Sequence, residues 1–205
     1  MENAIPATYL QRVDATADAL FYQTPRFVAH IDLATILALT QFYRQHLPVG
    51  GDVLDLMSSW ISHLPGEIDY GRVAGLGMNH EELQANPRLA DFTVHDLNAN
   101  AVLPYADAVF DAVLNAVSIQ YLTQPIAVFK EVARVLRPNG MFVVAMSHRL
   151  FPTKAIAAFC HLAPAQRIEL VKQYFSWAEV FAEAQFIDCS PPQDDPLWIV
   201  IGKRL

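Results

Sequence analysis

Two apolar runs of the chain end in groups that can hold a ligand. In Gly51-Asp52-Val53-Leu54-Asp55-Leu56-Met57-Ser58-Ser59-Trp60-Ile61 a carboxylate, Asp55, sits inside an apolar run that two hydroxyls close. Gly51 to Pro65 reads as a buried strand running into a helix, where a nucleotide-binding protein would carry a glycine-rich loop. Such a loop lets backbone N–H groups and a helix N-terminus approach the charged end of a ligand. Met57, Ser59 and Ile61 stand where the glycines are expected. Ser58 and Ser59 can still donate hydroxyl hydrogen bonds to a carboxylate at the helix start. A second carboxylate, Asp96, follows the run Phe92 to His95 and is itself followed by Leu97.

The elements that must position these groups follow from hydrophobic period. Leu10, Val13, Ala17 and Leu20 recur at helical spacing, and Phe27, Ile31, Ala34 and Phe42 continue it from Pro25 to His46, so two helices are predicted before the first strand. Val53 to Met57, Arg72 to Gly77, Phe92 to His95, Val109 to Asn115 and Met141 to Met146 are short apolar runs of the kind found in parallel strands covered on both faces. Pro125 to Arg137 is the clearest helix, with Ile126, Phe129, Val132, Ala133 and Leu136 on one face before Arg137-Pro138-Asn139-Gly140 stops it. A helical zone follows Pro152, and Ser176 to Glu179 reads as the capping box of a further short helix. Phe186 to Cys189 and Leu197 to Ile201 close the chain as an antiparallel pair.

Strands that alternate with helices form an open sheet, and such sheets bind ligands at the carboxyl ends of their strands. The candidates are therefore Ser58 and Ser59, then Met78 and Asn79, then Asp96 and Leu97, and finally Ala116, Val117 and Ser118.

Composition narrows the partners. The 205 residues are 53% hydrophobic and 17% charged, enough for a single packed domain over 1–205. A net charge of −7 argues against nucleic acid and favours a small ligand. Cys160 and Cys189 are too few for a cysteine metal site, and no His-x-x-x-His pair occurs, so no metal is expected. No run reaches the roughly 18 apolar residues of a membrane span, and no basic residue precedes an apolar run at the start, so a cytoplasmic protein is expected.

Leu103-Pro104-Tyr105-Ala106-Asp107-Ala108-Val109-Phe110-Asp111-Ala112-Val113 resembles a turn and strand of the class I S-adenosylmethionine-dependent methyltransferases, in their type 11 branch. Glu131-Val132-Ala133-Arg134-Val135-Leu136-Arg137-Pro138-Asn139-Gly140 is similar to that family's helix and turn before strand five. The resemblance implies a Rossmann-like α/β fold: a mostly parallel seven-stranded sheet with helices on both faces and an antiparallel C-terminal strand. It divides the chain into an N-terminal helical lid over 1–48 and an α/β core over 49–205.

The resemblance also implies S-adenosylmethionine as cofactor. Asp55 would orient the first loop and the methionine portion, Asp96 would accept from the adenine amine, and Leu97 would pack on the ring. Met57, Ser58 and Ser59 occupy the loop, while Asn115 and Val117 lie at the end of the fourth strand. Where the family carries an acid for the ribose hydroxyls this chain has Gly77, leaving Met78, Asn79 or the backbone to supply hydrogen bonds.

Methyl transfer needs an in-line nucleophile held close, so no triad is required, and none is visible. Catalytic residues are therefore unassigned. Tyr22, Arg26 and His30, on the expected lid, and Tyr121, His148 and Arg149, after strands four and five, are candidates to touch a small-molecule acceptor. Trp60 is expected to pack on neighbouring helices. The leading reading is a methyltransferase acting on a small molecule; the alternative is a methyltransferase-fold protein that has lost catalysis and serves as a ligand-binding or interaction module. A nicotinamide oxidoreductase would need the Gly-x-Gly-x-x-Gly turn that is missing here.

Overall fold

A computed structural model describes residues 5–205. In chain order its elements are α1 (Asp18–Phe21), α2 (Leu33–His46), β1 (Asp52–Ser58), β2 (Arg72–Gly77), α3 (His80–Ala85), β3 (Asp91–Val94), β4 (Phe110–Ala116), α4 (Pro125–Val135), β5 (Leu136–Met146), α5 (Ala157–His161), α6 (Pro164–Ala178), β6 (Gln185–Asp188) and β7 (Trp198–Lys203). One sheet contains all seven strands in the order β3-β2-β1-β4-β5-β7-β6. β1 pairs in parallel with both β2 and β4, so strand order reverses beside it. β7 lies antiparallel to β5 and β6 antiparallel to β7.

Apolar residues on successive positions of the central strands go to opposite faces, as the two-residue period requires. Val53, Val73, Ala112, Leu114 and Val143 pack with Leu39, Phe42 and Tyr43 of α2. Leu54, Leu56, Val113, Phe142 and Val144 pack with Val128, Phe129 and Val132 of α4 and with Val171, Tyr174 and Phe175 of α6. Each such fully buried side chain contributes roughly 1.5–3 kcal/mol of burial free energy. Among the described residues, no helix is long and apolar enough to cross a membrane.

The amino-terminal segment departs from the helices its spacing predicts. Residues 7–10 form a single 3-10 turn, α1 has four residues, and the second helix starts at Leu33 instead of Pro25. Val13 and Leu20 are 84% and 67% exposed, so their spacing marks no buried face. Asp32 begins α2 instead, its side chain accepting from the Thr35 N–H at 2.8 Å.

Three further boundaries move. No helix follows β1: residues 59–71 form an irregular loop. β5 begins at Leu136, so Arg137-Pro138-Asn139-Gly140 lies within a strand whose register slips opposite Phe110. Arg137 there joins Asp52 at 2.9 Å and also pairs with Asp111, tying β5 to β1 and β4. Ser176 to Glu179 ends α6 instead of starting a helix, because Glu179 adopts a left-handed C-cap (φ 60°) and its N–H returns to the Ser176 carbonyl.

Candidate functional site

β1 ends in a bulge. Its register with β2 slips between Leu56 and Ser58, and Met57 takes the left-handed conformation (φ 60°) that an L-residue adopts at a cost of roughly 1 kcal/mol or more. The slip drives the Ser58 carbonyl against Gly77, 2.2 Å from where a Cβ on that residue would stand. No side chain of any kind fits at position 77.

The loop beyond Ser58 is held by side chains instead of helical hydrogen bonds. The Ser58 and Ser62 hydroxyls each donate to Asp55 Oδ2 at 2.6 Å. Asn86 Nδ2 donates to Ser62 Oγ at 2.9 Å and to the Ser59 carbonyl at 2.8 Å. His63 is also left-handed (φ 55°) and Pro65 follows, so a helix over 59–65 is closed to this backbone. The expected helix N-terminus for an anion is therefore absent. Asp55 is 4% exposed, and burial raises its pKa to about 6 against the lowering effect of the two serines.

A cavity of about 340 Å³ opens over the carboxyl ends of β1, β2, β3 and β4. Asp55, Met57, Ser58, Ser59, Gly77, Met78, Asn79, Asp96, Leu97 and Val117, all expected at a cofactor, lie along it. So do Tyr22, Arg26, His30, Tyr121 and Arg149, expected at an acceptor.

Two expected residues do not line it. Asn115 is fully buried beneath it, with Nδ2 3.4 Å from the Leu56 carbonyl, and His148 turns away to pair with Asp195 at 3.0 Å. Nor does Trp60 pack on helices: its Nε1 donates to the Val28 carbonyl at 3.1 Å and its ring meets Phe27 edge to face.

Several polar groups expected to be free are already engaged. The Ser58 hydroxyl is spent on Asp55 and the Ser59 hydroxyl on Glu82 Oε2, at 2.6 Å each, so neither proton is left for a ligand carboxylate. Asn79 caps α3 through the Glu82 N–H and donates to the carbonyls of Tyr22 (2.9 Å) and Gln23 (3.1 Å). Its amide holds the amino-terminal strand of chain over the cavity and has no N–H left for a ribose. Asp96 Oδ1 accepts from the Asn98 N–H at 2.9 Å and the Ala99 N–H at 3.2 Å, fixing the carboxylate beside the buried Leu97.

The sequence reading missed three contributors. Glu82 lines the cavity, and its Oε1 accepts the Arg26 N–H at 2.7 Å while Oε2 takes the Ser59 hydroxyl. Its spacing after Asn79 is that of a capping box, a signal that reads as helix capping alone. Phe151 sits between Tyr121, 5.9 Å away and stacked, and His30, edge-on at 5.4 Å.

Asp18 also lines the cavity. Burial opposes its charge, but bonds from Asn98, Arg12 and Lys154 hold its carboxyl below the usual range. Lys154 is fully buried against Asp18 (3.1 Å) and Asp14 (3.2 Å). Burial lowers the pKa of His30, and lowers that of His63 to about 4 with help from His30 itself.

Residues 59–144 match the type 11 family model described as a methyltransferase domain. Over that stretch, which is less than half of the chain, it is similar to a methyltransferase domain, and its sheet has the fold of S-adenosylmethionine-dependent methyltransferases. Among solved structures it is similar to a Haloferax volcanii protein described as a methyltransferase and solved with the Trm112 methyltransferase activator. That match has 19% identity and a TM-score of 0.60, and covers 83% of this chain and 90% of the other. It is also similar to a Mesorhizobium loti S-adenosylmethionine-dependent methyltransferase, with 17% identity, a TM-score of 0.54 and coverage of 82% and 98%. A third is the Haemonchus contortus phosphoethanolamine N-methyltransferase 2 in complex with S-adenosyl-L-methionine, with 13% identity, a TM-score of 0.57 and coverage of 82% and 52%. None of the curated proteins matches it.

The residues along the cavity fit S-adenosylmethionine. The cavity lies within the roughly 300–1,000 Å³ of ordinary small-ligand sites. Leu97 offers an apolar surface beside the fixed Asp96 carboxylate, and the buried Ser118 hydroxyl, which also lines the cavity, has no partner.

Proposed function

We propose that the protein is a methyltransferase that binds S-adenosylmethionine across the strand ends and transfers its methyl group to a small molecule. The open space running from Asp55 to Asp96 carries this reading, since a filled pocket would have argued for a protein without a cofactor. When bound, the cofactor supplies an electrophilic methyl group on a sulfonium. Asp96 accepts from the adenine amine, Leu97 packs on the ring, and Met57, Ser58, Ser59, Gly77, Met78 and Val117 shape the cavity through backbone and apolar surface.

Tyr22, Arg26, His30, Tyr121 and Arg149 form the acceptor wall. Their part is to exclude water and align the nucleophile, since positioning alone can lower the barrier by several kcal/mol. His30, whose pKa desolvation lowers, is the group there best able to receive an acceptor proton. The segment over 18–31 acts as the lid of a single-domain protein, and its closeness to the strand ends favours a small acceptor over a macromolecule. A cytoplasmic location agrees with that cofactor.

Calorimetry with S-adenosylmethionine and S-adenosylhomocysteine tests the proposal. A Kd of about 1–100 μM is expected, which is roughly −8 to −5.5 kcal/mol; no heat at millimolar ligand would overturn it. A second reading, binding without turnover, is favoured by the engaged Ser58 and Ser59 hydroxyls. Failure to move a labelled methyl group into any small molecule of a cell extract, with binding intact, would support that reading instead.

A further inference from the structure

Glu82 is a buried carboxylate, 9% exposed, that lines the cavity and has no cation within ion-pair distance among the described residues. A carboxylate in that position is costly unless hydrogen bonds satisfy it. Each of its oxygens accepts one bond from the protein, Oε1 from the Arg26 N–H and Oε2 from the Ser59 hydroxyl, so each keeps a lone pair for another donor.

The sheet order locates that donor. With β2 between β3 and β1, the middle of a ligand spanning Asp96 and Asp55 lies over the end of β2, where α3 begins. At that end the Ser58 carbonyl excludes every side chain from position 77. Asn79 has spent its N–H groups on the chain crossing above. Glu82, one helical turn further on, is the carboxylate that the fold offers there.

We propose that Glu82 accepts the two hydroxyls of a nucleoside's vicinal diol, the task that the backbone bars from position 77. The proposal rests on the cofactor reading above. Two oxygens with one free lone pair each suit a pair of adjacent hydroxyls, and hydrogen bonds to an ionised acceptor are the stronger kind. Coupling follows from the same contacts. Through Arg26 and Ser59, Glu82 joins the covering segment to the bulged end of β1, so a bound diol draws on both.

The experiment is calorimetry on the whole protein and its Glu82→Gln variant with three probes. These are S-adenosylhomocysteine, 5′-methylthioadenosine, which keeps the diol and lacks the amino-acid tail, and the 2′,3′-dideoxy form of methylthioadenosine. The expected result is that E82Q weakens the first two by the same factor, about tenfold or more, and leaves the weak dideoxy probe unchanged. A loss confined to S-adenosylhomocysteine would place Glu82 at the amino-acid end and overturn the proposal; an equal loss for all three would make its role structural and also overturn it.

If E82Q does not fold, the unmodified protein still decides. Equal affinity for methylthioadenosine and its dideoxy form sinks the diol assignment. Binding of S-adenosylhomocysteine with no preference for the diol ends this inference alone, whereas no binding of any probe ends the cofactor reading and this inference together.

Discussion

The Ser58 carbonyl and Gly77 are locked together: an added Cβ at Gly77 would stand 2.2 Å from that oxygen. The bulge that lets Met57 replace a glycine and the absence of an acid at the end of β2 are thus one structural feature, because the first produces the second. Gly77→Ala therefore forces the paired strand ends apart, and backbone has little room to yield. A loss of about 2–4 kcal/mol is expected in urea unfolding. Gly77→Asp, which would add a carboxylate at the end of β2, is expected to lose more and to gain no affinity for S-adenosylhomocysteine.

Asp55 makes stability depend on pH in a definite direction. Its folded pKa, about 6, lies above the ordinary carboxyl value of 3.8, so between those values the native state holds more protons than the unfolded chain. Its contribution is most favourable below about pH 4 and is lost as pH rises to about 6, by at most about 3 kcal/mol. Asp55→Asn keeps an acceptor for the two serines and removes the titration. The difference in unfolding free energy between wild type and variant is expected to move by about 2–3 kcal/mol from pH 4 to pH 7, with the variant the more stable at pH 7. An unchanged difference across that range would exclude Asp55 as the source.

Lys154 fastens residues 14–18 to the body. It is wholly buried, and Asp14 and Asp18 meet it at 3.2 and 3.1 Å. Lys154→Met leaves Arg12 Nη1 at 2.8 Å from both oxygens of Asp18 but removes the charge beneath it. A cost of about 2–4 kcal/mol is expected. Hydrogen exchange should rise first in residues 12–22, and a uniform rise across the sheet would count against a local fastening.

Asp96→Asn separates adenine recognition from folding. The amide oxygen can still receive the Asn98 and Ala99 N–H groups, so melting is expected to stay within a few degrees of wild type. Affinity for S-adenosylhomocysteine is expected to fall about 5- to 50-fold, since a neutral acceptor replaces a charged one. Equal affinity in a titration would remove Asp96 from the adenine contact.

The sheet was legible in the sequence because its information is local. Runs such as Val53 to Met57 and Val109 to Asn115 are apolar on both faces, and Pro125 followed by a 3.6-residue period writes α4 almost to the residue. Those runs also announce which residues follow each strand, so ten of the eleven expected cofactor residues line the cavity and only Asn115 turns inward.

The tertiary structure decided how the polar groups are spent. Nothing near Ser59 in sequence says that its hydroxyl goes to Glu82, 23 residues on, or that Asn79 holds the Tyr22 carbonyl 57 residues before it. The loop after β1 reads as helix because its spacing allows one; it is not, because Asp55 and Asn86 capture its polar groups from strand and turn. Periodicity reports which side of an element meets the core, whereas hydrogen bonds between distant segments depend on which strand ends become neighbours, and only the folded sheet fixes that.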